Sequence, residues 1–173
     1  IVLLIGQYSV GKTSFIRYLL GRDFPGQRVG PEPTTDRFVA IMHGDADKVT
    51  PGNALTAQSD APFSPLKRFG TQFLNRFEAA QLPSPILKRC VLVDTPGLLS
   101  DAAPAAGAGA DAAVRHAADA AMAIVRAQIE PKSRLILCLE DTSDWQVSPT
   151  RRAVQAVDAD LSRTVVVATK LDG

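Results

Sequence analysis

Apolar residues along this chain gather in short runs, separated by longer mixed or polar stretches. Residues 1–5 are unbroken apolar sequence, Ile-Val-Leu-Leu-Ile, the pattern of a strand buried on both faces. Shorter runs at 38–42, 90–93, 135–139 and 164–168 predict four more strands. Helical spacing predicts helices over 14–20, 112–128 and 150–160, with Gly21 as a stop after the first. Leu66, Phe69, Phe73, Leu74 and Phe77 are spaced to share one helical face, which predicts a helix over 66–80. Residues 27–35 carry Pro31 and Pro33 and cannot form regular helix. Residues 44–65 read as a loop-rich insertion, and the alanine-rich residues 102–127 as a loop running into a surface helix. Strands alternating with helices predict an α/β fold: a mostly parallel central sheet with helices on both faces.

The first strand leads into Gly6-Gln7-Tyr8-Ser9-Val10-Gly11-Lys12-Thr13, which fits G-x-x-x-x-G-K-[ST], and Ser14 follows in the predicted helix. Strand, glycine loop and helix together form a phosphate cradle. Glycines let the backbone turn its N–H groups inward, and the helix N-terminus adds positive potential. Lys12 supplies a charge for β- and γ-phosphates, and the Thr13 hydroxyl is placed to hold Mg²⁺. The expected fold is therefore a P-loop NTPase, with Gly6 to Ser14 contacting the nucleotide.

Three further elements follow in the order such a fold requires. Asp94-Thr95-Pro96-Gly97 closes the third apolar strand. Asp94 is expected to act on Mg²⁺ through a water, and the Gly97 N–H to sense the γ-phosphate. Thr34-Thr35 lies between the first helix and the second strand, where a switch threonine must sit; Thr35 is preferred as Mg²⁺ ligand and water-orienting residue. Thr169-Lys170-Leu171-Asp172 follows the fifth strand and fits [NT]-K-x-D. The Asp172 carboxylate can accept both the N1–H and the N2–H₂ of guanine, a pairing adenine does not offer.

Composition changes little. At 173 residues and 46% hydrophobic content the chain suits one domain with a full core. A net charge of +1 gives no bulk attraction to nucleic acid. Cys90 and Cys138 fall in predicted strands and read as core thiols of a reducing cytosol rather than as a disulfide. No apolar run approaches the roughly 18 residues that a membrane span needs. The chain reads as 1–173 of a longer protein, a single nucleotide-binding domain.

Up to about Ser100 the sequence resembles the EH-domain-containing ATPases of the dynamin superfamily. The resemblance rests on the stretch from Gly6 to Ile16, on Arg28-Val29-Gly30-Pro31-Glu32-Pro33-Thr34-Thr35-Asp36, on Thr50-Pro51-Gly52-Asn53-Ala54-Leu55, on Arg68-Phe69-Gly70 with Phe73-Leu74-Asn75-Arg76-Phe77, and on Asp94-Thr95-Pro96-Gly97. Beyond Asp101 it fades, and residues 129–172 look more like classical dynamins. The family's Lys-Pro-Phe reads Ala61-Pro62-Phe63 here, which counts against assembly through that loop. The resemblance implies a dynamin-type G domain that hydrolyses nucleotide slowly, self-associates, and reaches membrane lipids through regions outside this fragment. It implies a cytoplasmic protein, peripheral on endosomal or plasma membranes. Ser9 sits where dynamins place a loop serine that binds a charge-compensating ion or orients the nucleophile. The catalytic set is thus Ser9, Lys12, Thr35 and Gly97. No glutamine follows Gly97; Leu98 does, so intrinsic turnover should be slow. Family members bind ATP, whereas Thr169-Lys170-Leu171-Asp172 is the dynamin form that favours guanine; GTP leads and ATP follows closely. A nucleotide-gated scaffold with negligible hydrolysis is the alternative. A small signalling GTPase is disfavoured by the long insertion between Gly44 and Lys88.

Overall fold

The computed structural model describes residues 1–27, 37–57, 63–97, 134–141 and 148–170. The expected helix at 112–128, most of the alanine-rich stretch, Thr34, Thr35, Leu98 and Asp172 lie outside the described residues. The chain divides into two units. One holds residues 1–2 and 12–95, the other residues 3–11 and 96–173.

The first unit carries α1 (Lys12–Leu20), β2 (Phe38–His43), β3 (Lys48–Pro51), α2 (Gly52–Ala57), α3 (Gly70–Leu74), β4 (Phe77–Leu82) and β5 (Leu92–Asp94), with 3-10 turns at Ser64–Phe69 and Ile86–Lys88. Its strands lie in the order β3-β4-β2-β5. β2 runs parallel to β4, from Phe38 opposite Phe77 to His43 opposite Leu82. β2–β5 and β3–β4 are antiparallel, so this part of the sheet is mixed. Helix α1 ends where expected: Gly21 takes φ 69° and its N–H reaches back to the Tyr18 carbonyl.

Two expectations fail here. Residues 66–80 are not one helix, and residues 44–65 are not merely loop. The spacing of Phe69, Phe73 and Phe77 imitates a helical stripe, yet it records a cluster built across three elements. Phe73 stacks on Phe77 at 5.8 Å and meets Phe38 edge-on at 5.4 Å, while Phe63 meets Phe77 at 5.2 Å. Each such pair contributes about 0.5–1.5 kcal/mol beyond its buried area. Gly70, at φ 78°, separates the 3-10 turn from α3, and a turn at Asn75 and Arg76 closes α3 before Phe77. The next residues then bury Ala79, Ala80 and Leu82 as a strand between β2 and β3. Within the insertion, β3 is an edge strand ending at Pro51, a position that tolerates proline. Gly52 is buried, and only glycine fits there, because a Cβ would stand 2.5 Å from the Leu74 carbonyl and 2.7 Å from that of Phe77. Asn53 Nδ2 donates to Asn75 Oδ1 at 3.1 Å. The 50–55 stretch and the 73–77 stretch, quoted above for the resemblance, therefore meet in space.

The second unit carries β1 (Val2–Gly6) from its second residue onward, β6 (Leu135–Asp141), α4 (Pro149–Gln155) and β7 (Thr164–Thr169), with strand order β1-β6-β7. β6 and β7 are parallel, from Ile136 opposite Thr164 to Asp141 opposite Thr169. Leu3, Leu4, Ile5, Ile136, Leu139 and Val154 form its core, as the unbroken apolar runs require. Ser148 caps α4 by accepting from the Arg151 N–H at 3.2 Å, and Pro149 fits the first turn. The same hydroxyl donates to the buried Glu140 carboxylate. Asp158 ties the corner between α4 and β7. Its carboxylate accepts from Thr164 Oγ1 at 2.6 Å, the Arg163 N–H at 3.1 Å and Ser162 Oγ at 3.3 Å, with Arg163 Nε at 3.8 Å. Both cysteines are free thiols. Cys138 is buried in β6, and burial followed by the neighbouring Glu140 charge pushes its thiol up to about 12. Cys90 lies before β5 rather than within it, because the strand begins only at Leu92.

Candidate nucleotide-binding site

The loop that follows β1 is shaped by two glycines for different reasons. A Cβ on Gly6 would stand 2.6 Å from Val10 Cγ1 and 2.8 Å from the Leu139 carbonyl, so Gly6 is needed for space. Gly11 has open space around it but takes φ 95°, so glycine there is needed for conformation. Ser9 is also left-handed, at φ 62°, a rare state for a residue with a side chain. Val10 turns inward and is buried, while Tyr8 and Ser9 are exposed and Gln7 is half-buried. Thr169, at the end of β7, places its hydroxyl 2.8 Å from the Val10 carbonyl and 3.2 Å from that of Glu140. One hydroxyl proton serves two acceptors, and the shorter contact is to the loop. Lys170 follows at φ 56°. Gly97 is half-buried against the Tyr8 backbone. These residues belong to the second unit.

The first unit supplies the charged part. Lys12 opens α1 and is buried, although a lysine is almost never found so enclosed without a partner. Burial pushes its ammonium below the usual range, and the Asp94 charge offsets part of that. Thr13 Oγ1 donates to Asp94 Oδ2 at 2.8 Å across 81 residues of sequence. Asp94 is 1% exposed, and burial raises its carboxyl to about 6 despite the Thr13 hydroxyl, the Lys12 charge and the Thr95 backbone. Its other oxygen, Oδ1, has no hydrogen-bond partner. A buried carboxylate oxygen without a partner is costly unless a cation or water completes it. An oxygen pair of this kind, hydroxyl beside carboxylate, matches the hard-oxygen preference of Mg²⁺. Ser14 is exposed on α1.

Thus Lys12, Thr13 and Asp94 come together in one unit, and Gly6, Tyr8, Val10, Gly97 and Thr169 in the other. Thr35 and Asp172, expected at the metal and the base, lie outside the described residues. The Glu140 carbonyl and the Asp158 corner were not foreseen. A charged residue at the end of an apolar run marks Glu140 only in retrospect, and nothing local marks Asp158. No helix among the described residues is long and apolar enough to cross a membrane.

A strand, a tight glycine loop, a helix opened by a buried lysine, and a threonine bonded to a strand-end aspartate define the P-loop NTPase class. The sequence profile described as the Dynamin family matches residues 2–171, so the chain belongs to that family. Over 99 residues it is 61% identical to EH domain-containing protein 3 of Homo sapiens and 60% identical to EH domain-containing protein 1 of Bos taurus. Each match covers 57% of this chain and only 18% of the relative. The resemblance read from the sequence is borne out at that extent. A chain from an oligomerised bacterial dynamin pair, described as sensing and tethering membranes at long range, aligns over 99% of this chain and 26% of its own, with a TM-score of 0.52 and 18% identity. That likeness is one of fold.

Proposed function

We propose that this chain is the dynamin-type G domain of a larger protein, a Mg²⁺-dependent nucleoside triphosphatase whose cycle drives membrane remodelling or trafficking. The observation that carries the reading is the Lys12–Thr13–Asp94 cluster, with a buried carboxylate oxygen left for a cation. Thr13 and Asp94, with Thr35, would hold Mg²⁺, which when bound supplies positive charge against the β- and γ-phosphates. Lys12 adds a second positive charge at the same phosphates. The loop from Gly6 to Ser14 offers its N–H groups, Ser9 and Thr35 orient the attacking water, and the Gly97 N–H meets the γ-phosphate. Phosphoryl transfer to water rests on such positioning and charge neutralisation rather than on a covalent intermediate.

Thr169, Lys170 and Asp172 read the base, and the Asp172 carboxylate favours guanine, so GTP is placed ahead of ATP. The description of the structural neighbour, an oligomerised dynamin pair that senses and tethers membranes, supports self-association and work at a membrane; endosomal or plasma membranes, reached peripherally, are the proposed place. Single-turnover hydrolysis of GTP and ATP, with and without liposomes, tests the reading on the full-length protein. Mg²⁺-dependent turnover that rises on liposomes supports it. Tight nucleotide binding with no turnover in either state would assign a nucleotide-gated scaffold instead.

A further inference from the structure

Gly97 is given a γ-phosphate-sensing N–H by its place after Asp94, but its surroundings indicate a second task. A Cβ on Gly97 would stand 2.7 Å from the Cα of Tyr8, 3.0 Å from the Tyr8 nitrogen and 3.2 Å from the Tyr8 Cβ. The two nearest atoms are main chain, which cannot swing aside as the end of a long side chain can. Gly97 is not among the residues with positive φ, so the requirement is for space and not for conformation. The loop it touches has little freedom to recoil. Ser9 and Gly11 hold left-handed conformations at φ 62° and 95°. The Val10 carbonyl is held by the Thr169 hydroxyl at 2.8 Å, and Gly6 is wedged against Val10 and Leu139. A push at Tyr8 therefore moves the N–H groups of the cradle themselves.

We infer that Gly97 is a positioning residue for the phosphate loop in every nucleotide state. Its missing side chain lets two backbones touch, and that contact sets the loop that receives the α- and β-phosphates. The inference rests on the nucleotide-binding reading above and separates from γ-phosphate sensing in one respect. Sensing matters only when a triphosphate is bound. A loop-setting contact matters equally for a diphosphate.

The test is a titration of the full-length protein with fluorescent GDP, ADP and their non-hydrolysable triphosphate counterparts, in Mg²⁺. Gly97→Ala is expected to weaken the preferred diphosphate at least tenfold, and the triphosphate by a similar factor. In Gly97→Ala/Tyr8→Gly, position 8 loses its Cβ and gains backbone freedom, so part of the affinity should return. A Gly97→Ala chain that does not fold, beside a double variant that folds, supports the same contact. Unchanged diphosphate affinity in Gly97→Ala with triphosphate affinity lost overturns the inference and leaves sensing as the only role. A double variant that recovers neither affinity nor folding overturns it as well. A wild-type protein that binds none of the four nucleotides refutes the nucleotide reading itself, an outcome distinct from these.

Discussion

Asp158→Ala is expected to destabilise the fold by about 3–5 kcal/mol, the usual consequence of removing one partner from a buried, hydrogen-bonded ion pair. The structure gives the reason. The carboxylate is 3% exposed and faces three hydrogen-bond donors plus the Arg163 guanidinium, itself only 14% exposed. Truncation leaves the Thr164 and Ser162 hydroxyls and the Arg163 charge to find new partners at the head of β7. Arg163 keeps contacts to the Arg134 and Val157 carbonyls, which places the loss toward the lower end of that range. The pH dependence follows from the same contacts. Burial pushes the Asp158 carboxyl up, but the Thr164, Arg163 and Ser162 hydrogen bonds and the Arg163 charge together outweigh it, and its pKa lies below the usual carboxylate value. A carboxyl depressed in the folded state adds stability above its unfolded pKa of about 3.9, and that stability disappears as pH falls through the folded value. Urea unfolding followed by circular dichroism, from pH 8 to pH 3, reads both effects. The gap between wild type and Asp158→Ala should stay level from pH 8 to about 5 and narrow below about pH 4. A loss under 1 kcal/mol at pH 7, or a gap that widens in acid, would show that the corner is not held by the ionised carboxylate.

Three site variants test the functional reading. Lys12→Ala should abolish measurable nucleotide binding, with a cost of about 2–5 kcal/mol for losing the buried counter-charge; near-native affinity for a fluorescent nucleotide would sink the phosphate-loop assignment. Thr35→Ala should leave binding intact and lower turnover on liposomes, because the switch hydroxyl matters most once the γ-phosphate is engaged; unchanged turnover would pass the role to Thr34. Asp172→Ala should weaken GTP by about 2–4 kcal/mol and leave ATP almost unaffected, since both guanine donors lose a charged acceptor. Competition between the two nucleotides on wild type and variant separates the cases, and tighter wild-type binding of ATP would reverse the preference.

What could be read from the sequence was set by neighbours along the chain. A five-residue apolar run leading directly into a glycine loop fits a strand buried on both faces, and Leu3, Leu4 and Ile5 are buried accordingly. The turn from β1 into α1 needs glycine at two places within a few residues of each other, so the loop is written in one short stretch. Its order relative to Asp94 and Thr169 follows from chain connectivity, and the class of protein followed from that order. Tertiary structure decided what depends on distant partners. The aromatic spacing from Phe69 to Phe77 fits a helix as well as it fits the observed turn and strand, because residues four apart also meet when separate elements fold over one another. The strand won because β2 and β3 offered hydrogen bonds and an apolar slot that no isolated segment has. The bond from Thr13 to Asp94 across 81 residues, within one unit, and that from Thr169 to Val10 across 159, within the other, join groups whose separation no local pattern encodes. Motifs name the groups that can carry the chemistry; packing alone brings each within the 2.8 Å at which a hydroxyl can hold a carboxylate or a carbonyl.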